Sequence, residues 1–120
     1  QLGAGETAGN VTMQLYALFG PSVQPYLISW FAYEPQNVIE QLKMPVLIVQ
    51  GTTDIQVSVA QAQMLAKSAP QAQLLIVEGM NHILKNAPPQ KTPNAMTYNQ
   101  PELPVVAEAV EGIASFLHTP

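Results

Sequence analysis

The chain contains no cysteine. Disulfides, thiolate nucleophiles and cysteine-ligated zinc are thereby excluded, and the redox compartment is left open. Charge is scarce as well. Only 10% of the 120 residues are charged, four basic against eight acidic, for a formal net charge of −4. The basic residues form no cluster, so no nucleic-acid partner is expected. No apolar run approaches the ~18 residues of a membrane span, and none is expected. Neither G-x-G-x-x-G nor G-K-[S/T] occurs, which sets aside a nucleotide-binding half-fold. Only two histidines are present, far apart and without ligand spacing, so neither a metal nor a cofactor is expected.

What is abundant is apolar surface and glutamine. Nearly half of the residues are hydrophobic (48%), and 13 are glutamine. A free-standing small domain carries more charge on its surface than this. A short chain so poor in charge is expected to pack on further protein. It opens on Gln1 with no signal-peptide pattern, so a piece of a longer polypeptide is expected. The compartment, cytoplasmic or exported, is not fixed.

Residues 1–20 read as a flexible, glycine-containing leader followed by a short helix over 11–19, stopped at Gly20-Pro21. Val23, Tyr26, Leu27, Trp30 and Phe31 recur at helical spacing, a stripe suited to core or interface packing. Pro25 fits a first helical turn. Glu34-Pro35 opens a short amphipathic helix, with Val38, Ile39 and Leu42 on its buried face. An unbroken apolar run then predicts a strand near 45–50, of the kind buried on both faces of a parallel sheet. Ser58 is a candidate N-cap for a helix whose stripe is Val59, Ala62, Leu65, Ala66 and Ala69. Pro70 ends it, and a second strand is predicted near 72–78. This strand–helix–strand unit predicts a right-handed parallel crossover within the α/β class. Residues 87–104 hold five of the eleven prolines and show no period. A closing helix is predicted near 105–117, marked by Val106, Val110, Ile113 and Leu117 and widened by Ala109 and Phe116.

Two chemistry-bearing residues follow the two strands. Asp54 lies four residues after Gln50, and His82 five after Val77. In open parallel sheets ligands bind beyond the carboxyl ends of the strands, and one crossover delivers both loops to the same edge. An aspartate there can accept a hydrogen bond from one imidazole nitrogen and leave the other free as a general base. Either residue alone would read as a turn or cap residue. Their joint placement, with Gly51 and Gly79 in the two turns, marks Asp54 and His82 as candidate catalytic residues. Val57, Met80 and Asn81 are candidate substrate-binding residues, with Met80 and Asn81 equally suited to shaping the turn. Thr52 and Thr53 are expected to bond the loop backbone. Glu78 and His118 are expected to be structural and solvent residues respectively.

The runs P-V-L-I-V-Q-G-T-T-D-I-Q-V (45–57) and I-V-E-G-M-N-H (76–82) resemble the last third of an α/β-hydrolase. The branch they resemble is the bacterial serine hydrolases near the lipase/esterase and serine aminopeptidase-like proteins. In that family a G-x-x-D turn carries the triad acid, matched by Gly51 to Asp54. A later G-x-x-H turn carries the triad base, matched by Gly79 to His82. The likeness covers residues 21–117, with residues 1–20 resembling part of a cap region. It implies the C-terminal part of a hydrolase domain (21–120), acting on a small-molecule acyl substrate (ester, amide or thioester). The same scaffold also hosts aspartate nucleophiles and acyltransferases.

The chain departs from the family at the nucleophile. The G-x-S-x-G elbow is absent, and of Ser22, Ser29, Ser58, Ser68 and Ser115 only Ser22 has a glycine two residues before it. Ser22 follows no strand pattern and its context is otherwise wrong. The isolated chain is therefore expected to be inactive. The competing expectation is a non-catalytic α/β module. Two strands are too few for an independent sheet, so self-association or docking on a partner is expected in either case.

Overall fold

The structure, a computed structural model, describes residues 1–118. It divides into two compact units, one of residues 1–38 and one beginning at Ile39.

In the first unit, single 3₁₀ turns at Leu2–Ala4 and Met13–Leu15 precede helices α1 (Tyr16–Phe19) and α2 (Gln24–Phe31). The leader is tied down by one side chain. The Gln24 amide accepts from Ala8 N–H at 2.8 Å and donates to Ala8 C=O and Phe19 C=O at 2.9 Å each. Gln24 is buried, and these bonds satisfy its whole amide where water cannot. Pro25 does sit in the first turn of α2. The aromatic stripe does not form a core: Tyr26, Trp30 and Phe31 are exposed. Tyr26 and Trp30, one turn apart, pack on each other instead, with ring centroids 4.9 Å apart. Helix α3 (Pro35–Glu40) carries the boundary between the units.

The second unit is mixed α/β. Strand β1 (Leu47–Gly51) pairs in parallel with β2 (Gln73–Val77), in a register running from Leu47↔Gln73 to Gly51↔Val77. Helix α4 (Val59–Ser68) makes the crossover and contacts both strands. Its start is fixed at Ser58, whose N–H donates to the Gln61 side-chain oxygen at 2.9 Å. Ala62 and Ala69 are its buried stripe positions. Helix α5 (Lys91–Met96), a 3₁₀ turn (Thr97–Asn99) and helix α6 (Ala107–His118) complete the unit. None of the helices among the described residues is long and apolar enough to cross a membrane.

The core is small. Val77, Met80 and Ala109 are buried together, with Val49, Leu75 and Val106 packed around them. Side chains alternate along a strand, so Val49, Leu75 and Val77 turn one face of the sheet to α6. Full burial of a side chain such as Val77 contributes about 1.5–3 kcal/mol. Three expectations are corrected here. The strands are not buried on both faces: Leu47, Ile48, Val49, Leu74, Leu75 and Ile76 are half-buried. Among the described residues the sheet has two strands, so within them each strand lacks a neighbour on its outer side. The apolar face of the closing helix is divided: Val106 and Ala109 pack into the core and Phe116 is half-buried, whereas Val110 (53%), Ile113 (38%) and Leu117 (72%) are exposed. Val38 is likewise exposed, and of the α3 face only Ile39 and Leu42 are half-buried.

Candidate active site

Both candidate residues stand just beyond the carboxyl ends of the paired strands. After Gly51 the chain turns, and the pairing continues through Thr52 N–H to Val77 C=O at 3.0 Å and Thr53 N–H to Met80 C=O at 3.1 Å. The Thr52 hydroxyl accepts from Gly79 N–H at 2.9 Å. These three bonds lock the acid turn onto the base turn. Gly79 supplies a left-handed conformation, φ 70°, that other residues adopt only with strain.

His82 Nδ1 lies 2.8 Å from Asp54 Oδ2. The Asp54 side chain is 6% exposed and that of His82 41%, so the carboxylate is sheltered and the imidazole opens to solvent. Asp54 is held by four groups. Its Oδ1 accepts from Gln56 N–H at 2.8 Å and Val57 N–H at 3.0 Å. Its Oδ2 accepts from Gln50 Nε2 at 3.3 Å as well as from His82. A carboxylate offers about four lone-pair positions, and here all are used. Burial opposes the charge, but the bonds from Val57, Gln56, His82 and Gln50 together outweigh it and hold the carboxyl below its ordinary value of 3.8.

That ionisation settles the tautomer. A carboxylate is an acceptor only, so Nδ1 must be the donor. In the neutral ring Nε2 then carries the free lone pair. Nε2 takes no hydrogen bond among the described residues, and the His82 side chain is partly open to solvent. The arrangement can accept a proton at Nε2, face the resulting imidazolium with a carboxylate, and return the proton to a departing group.

The other candidates take different places. Val57 acts through its backbone: its N–H donates to Asp54 and its C=O accepts from Gln50 Nε2 at 3.0 Å. Met80 and Asn81 are each 1% exposed. At that burial they offer a substrate no surface, and they shape the turn instead. Met80 belongs to the core. The Asn81 side-chain oxygen accepts from Ile83 N–H at 3.2 Å and Lys85 N–H at 3.0 Å, which folds the chain back just after His82. Leu84, inside that fold, has φ 62°. Backbone strain of this kind collects at functional turns. Glu78 and His118 are exposed, and His118 Nδ1 lies 2.7 Å from Ala114 C=O within its own helix.

Three supporting residues escape a reading of the sequence. Gln50 is 6% exposed and reaches Gly51 C=O, Val57 C=O and Asp54 Oδ2 with one nitrogen. A glutamine closing the apolar run 46–49 was its only sequence signal. Asn94 and Thr97 are also buried, and they lie in the proline-rich stretch that shows no period. Among the described residues no three His, Cys, Asp or Glu side chains group closely enough to hold a metal ion. The chain matches no protein-family model, and comparison with curated proteins gives no match.

Proposed function

We propose that this chain supplies the acid and base of a hydrolase acting on esters, amides or thioesters, with the nucleophile provided by polypeptide outside these 120 residues. The observation that carries the reading is the 2.8 Å pair between His82 Nδ1 and Asp54 Oδ2, with the imidazole partly open to solvent and the carboxylate sheltered. Nε2 takes the proton of an attacking hydroxyl. The imidazolium so formed is faced by the Asp54 carboxylate, and it hands the proton to the leaving oxygen, nitrogen or sulfur. The resemblance of the G-x-x-D and G-x-x-H turns to those of α/β-hydrolases favours serine as the nucleophile. The 120 residues alone are inactive on this reading, because they lack the G-x-S-x-G elbow.

The test uses the polypeptide encoded by the full reading frame. A G-x-S-x-G strand–turn–helix should lie upstream of Gln1, and turnover of p-nitrophenyl esters should be measurable. His82→Ala should abolish it. Asp54→Asn should lower it by roughly 10⁴, the scale seen when an orienting acid is lost from a serine protease. Full turnover in either variant would mean that the pair is not the catalytic one.

A second reading has its own observation. Val110 and Leu117 are exposed, and among the described residues the two strands have no outer neighbours. These features favour a self-associating α/β module, or one that docks on a partner. A stop codon followed by a genuine start near Gln1 would support this alternative over the hydrolase.

A further inference from the structure

Asn94, on α5, is fully buried at 0% exposure, and its side chain touches both turns of the candidate site. Its Nδ2 donates to Thr53 C=O at 2.8 Å. That carbonyl belongs to the peptide leading directly into Asp54. The same nitrogen donates to Pro88 C=O at 2.8 Å. On the other side its Oδ1 accepts from Asn81 Nδ2 at 3.4 Å, and Asn81 is the residue before His82. A shorter route runs beside this long bond. Asn81 Nδ2 donates to Thr97 Oγ1 at 2.8 Å, and that hydroxyl donates to Asn94 C=O at 2.7 Å. The amide hydrogens of Asn94 are both used, and the Thr97 hydroxyl both gives and receives.

We propose that Asn94, with Thr97, is a positioning residue that sets the separation of Asp54 and His82 by bonding the peptide before the acid and the residue before the base. The inference rests on the hydrolase reading for its purpose, but its geometry can be tested without turnover. The strands already join the two turns at their bases, through Thr52, Thr53 and Gly79. Asn94 adds a brace at the tips, where His82 is otherwise exposed on a short turn. It does so from a segment 41 residues after Thr53 and 13 after Asn81. Buried polar networks of this kind fix one geometry only when every member is satisfied. Here Asn94, Asn81 and Thr97 all have partners. The residue touches no position a substrate could occupy, so it acts through Asp54 and His82 alone.

The experiment is proton NMR of the polypeptide encoded by the full reading frame, with ¹⁵N-labelled histidine. A ring N–H shared with a carboxylate gives a low-field resonance, and His82→Ala assigns it. In Asn94→Ala this resonance should vanish or move upfield, while the dispersed amide signals of β1 and β2 persist. An unchanged resonance in folded Asn94→Ala would overturn the proposal. If Asn94→Ala loses its dispersed amide spectrum, Thr97→Val is read in its place. It removes the shorter Asn81 arm and spares both carbonyls that Asn94 holds. A weakened or shifted resonance there supports the brace, and an unchanged one overturns it. Absence of the resonance from the unsubstituted chain would remove the acid–base pair itself, which separates failure of the hydrolase reading from failure of the brace alone.

Discussion

A methyl group on Gly51 would lie 1.8 Å from the carbonyl oxygen of Met80. The end of β1 therefore passes against the backbone of the base turn with no room for any side chain. That carbonyl also accepts from Thr53 N–H, so it cannot swing away without breaking the lock between the turns. Gly51→Ala should destabilise the second unit by about 1–3 kcal/mol, the range for overpacking a filled site. The change should appear as a lower urea midpoint at unchanged slope. A midpoint within error of the parent would mean that the two turns separate easily.

Asp54 gives the pH prediction. Its carboxyl is held below its ordinary value in the fold, by hydrogen bonds that overcome the cost of burial. A depressed folded-state pKa means that the unfolded chain binds the proton first as pH falls. The stabilisation is complete above the ordinary value of 3.8 and is lost as pH drops through the lower folded value. Urea midpoints compared at pH 7 and near pH 3 should therefore fall more for the parent than for Asp54→Asn. At pH 7 the variant should be the less stable of the two. Parallel pH profiles would show that the four bonds to the carboxylate do not favour its charge.

Leu84 offers a test in which backbone and hydrophobicity pull in opposite directions. It adopts φ 62° and is 37% exposed. A left-handed conformation costs an ordinary residue about 1–2 kcal/mol, a β-branched one more, and asparagine less. Leu84→Asn should therefore be more stable than Leu84→Val by roughly 1 kcal/mol, although valine is the more apolar. Thermal melts of the two variants decide it. The reverse order would mean that burial of this side chain outweighs its backbone strain.

The outward stripe of α6 predicts behaviour in solution. Val110 and Leu117 are 53% and 72% exposed on a chain with few charges. Sedimentation should show concentration-dependent association, and Val110→Lys with Leu117→Lys should reduce it. Both positions are exposed, so the double variant should keep its melting temperature. Association that persists in the double variant would point to the open strand edges instead.

The parts legible in the sequence are those that rest on local pattern. The runs 46–49 and 74–77, the Ser58 cap and the spacing of apolar residues in α6 each announce an element, and each element is present. The direction of a stripe is less legible. The period locates Val110 and Leu117 on one side of α6, but which side meets the sheet depends on what else is there to cover it. Asp54 and His82 could be paired because two turns after parallel strands share one edge. Asn94 could not be found, since a polar residue buried by long-range hydrogen bonds leaves no periodic trace. The same holds for Gln24, whose amide pairs with Ala8 across 16 residues.

The register of the two strands has a consequence for error. Gly51 stands opposite Val77, and the acid and base follow those positions by three and five residues. A slip of one residue along the ladder would shift one turn against the other by about 3.3 Å. It would also turn Val77 from the α6 side to the opposite face. The 2.8 Å bond between His82 and Asp54 would not survive such a displacement, yet nothing in that pair itself can sense it. The sensor is Val77, with no exposed surface and its place among Met80 and Ala109. Misregistered chains are thus rejected by a hydrophobic side chain before the Asp54–His82 pair can form.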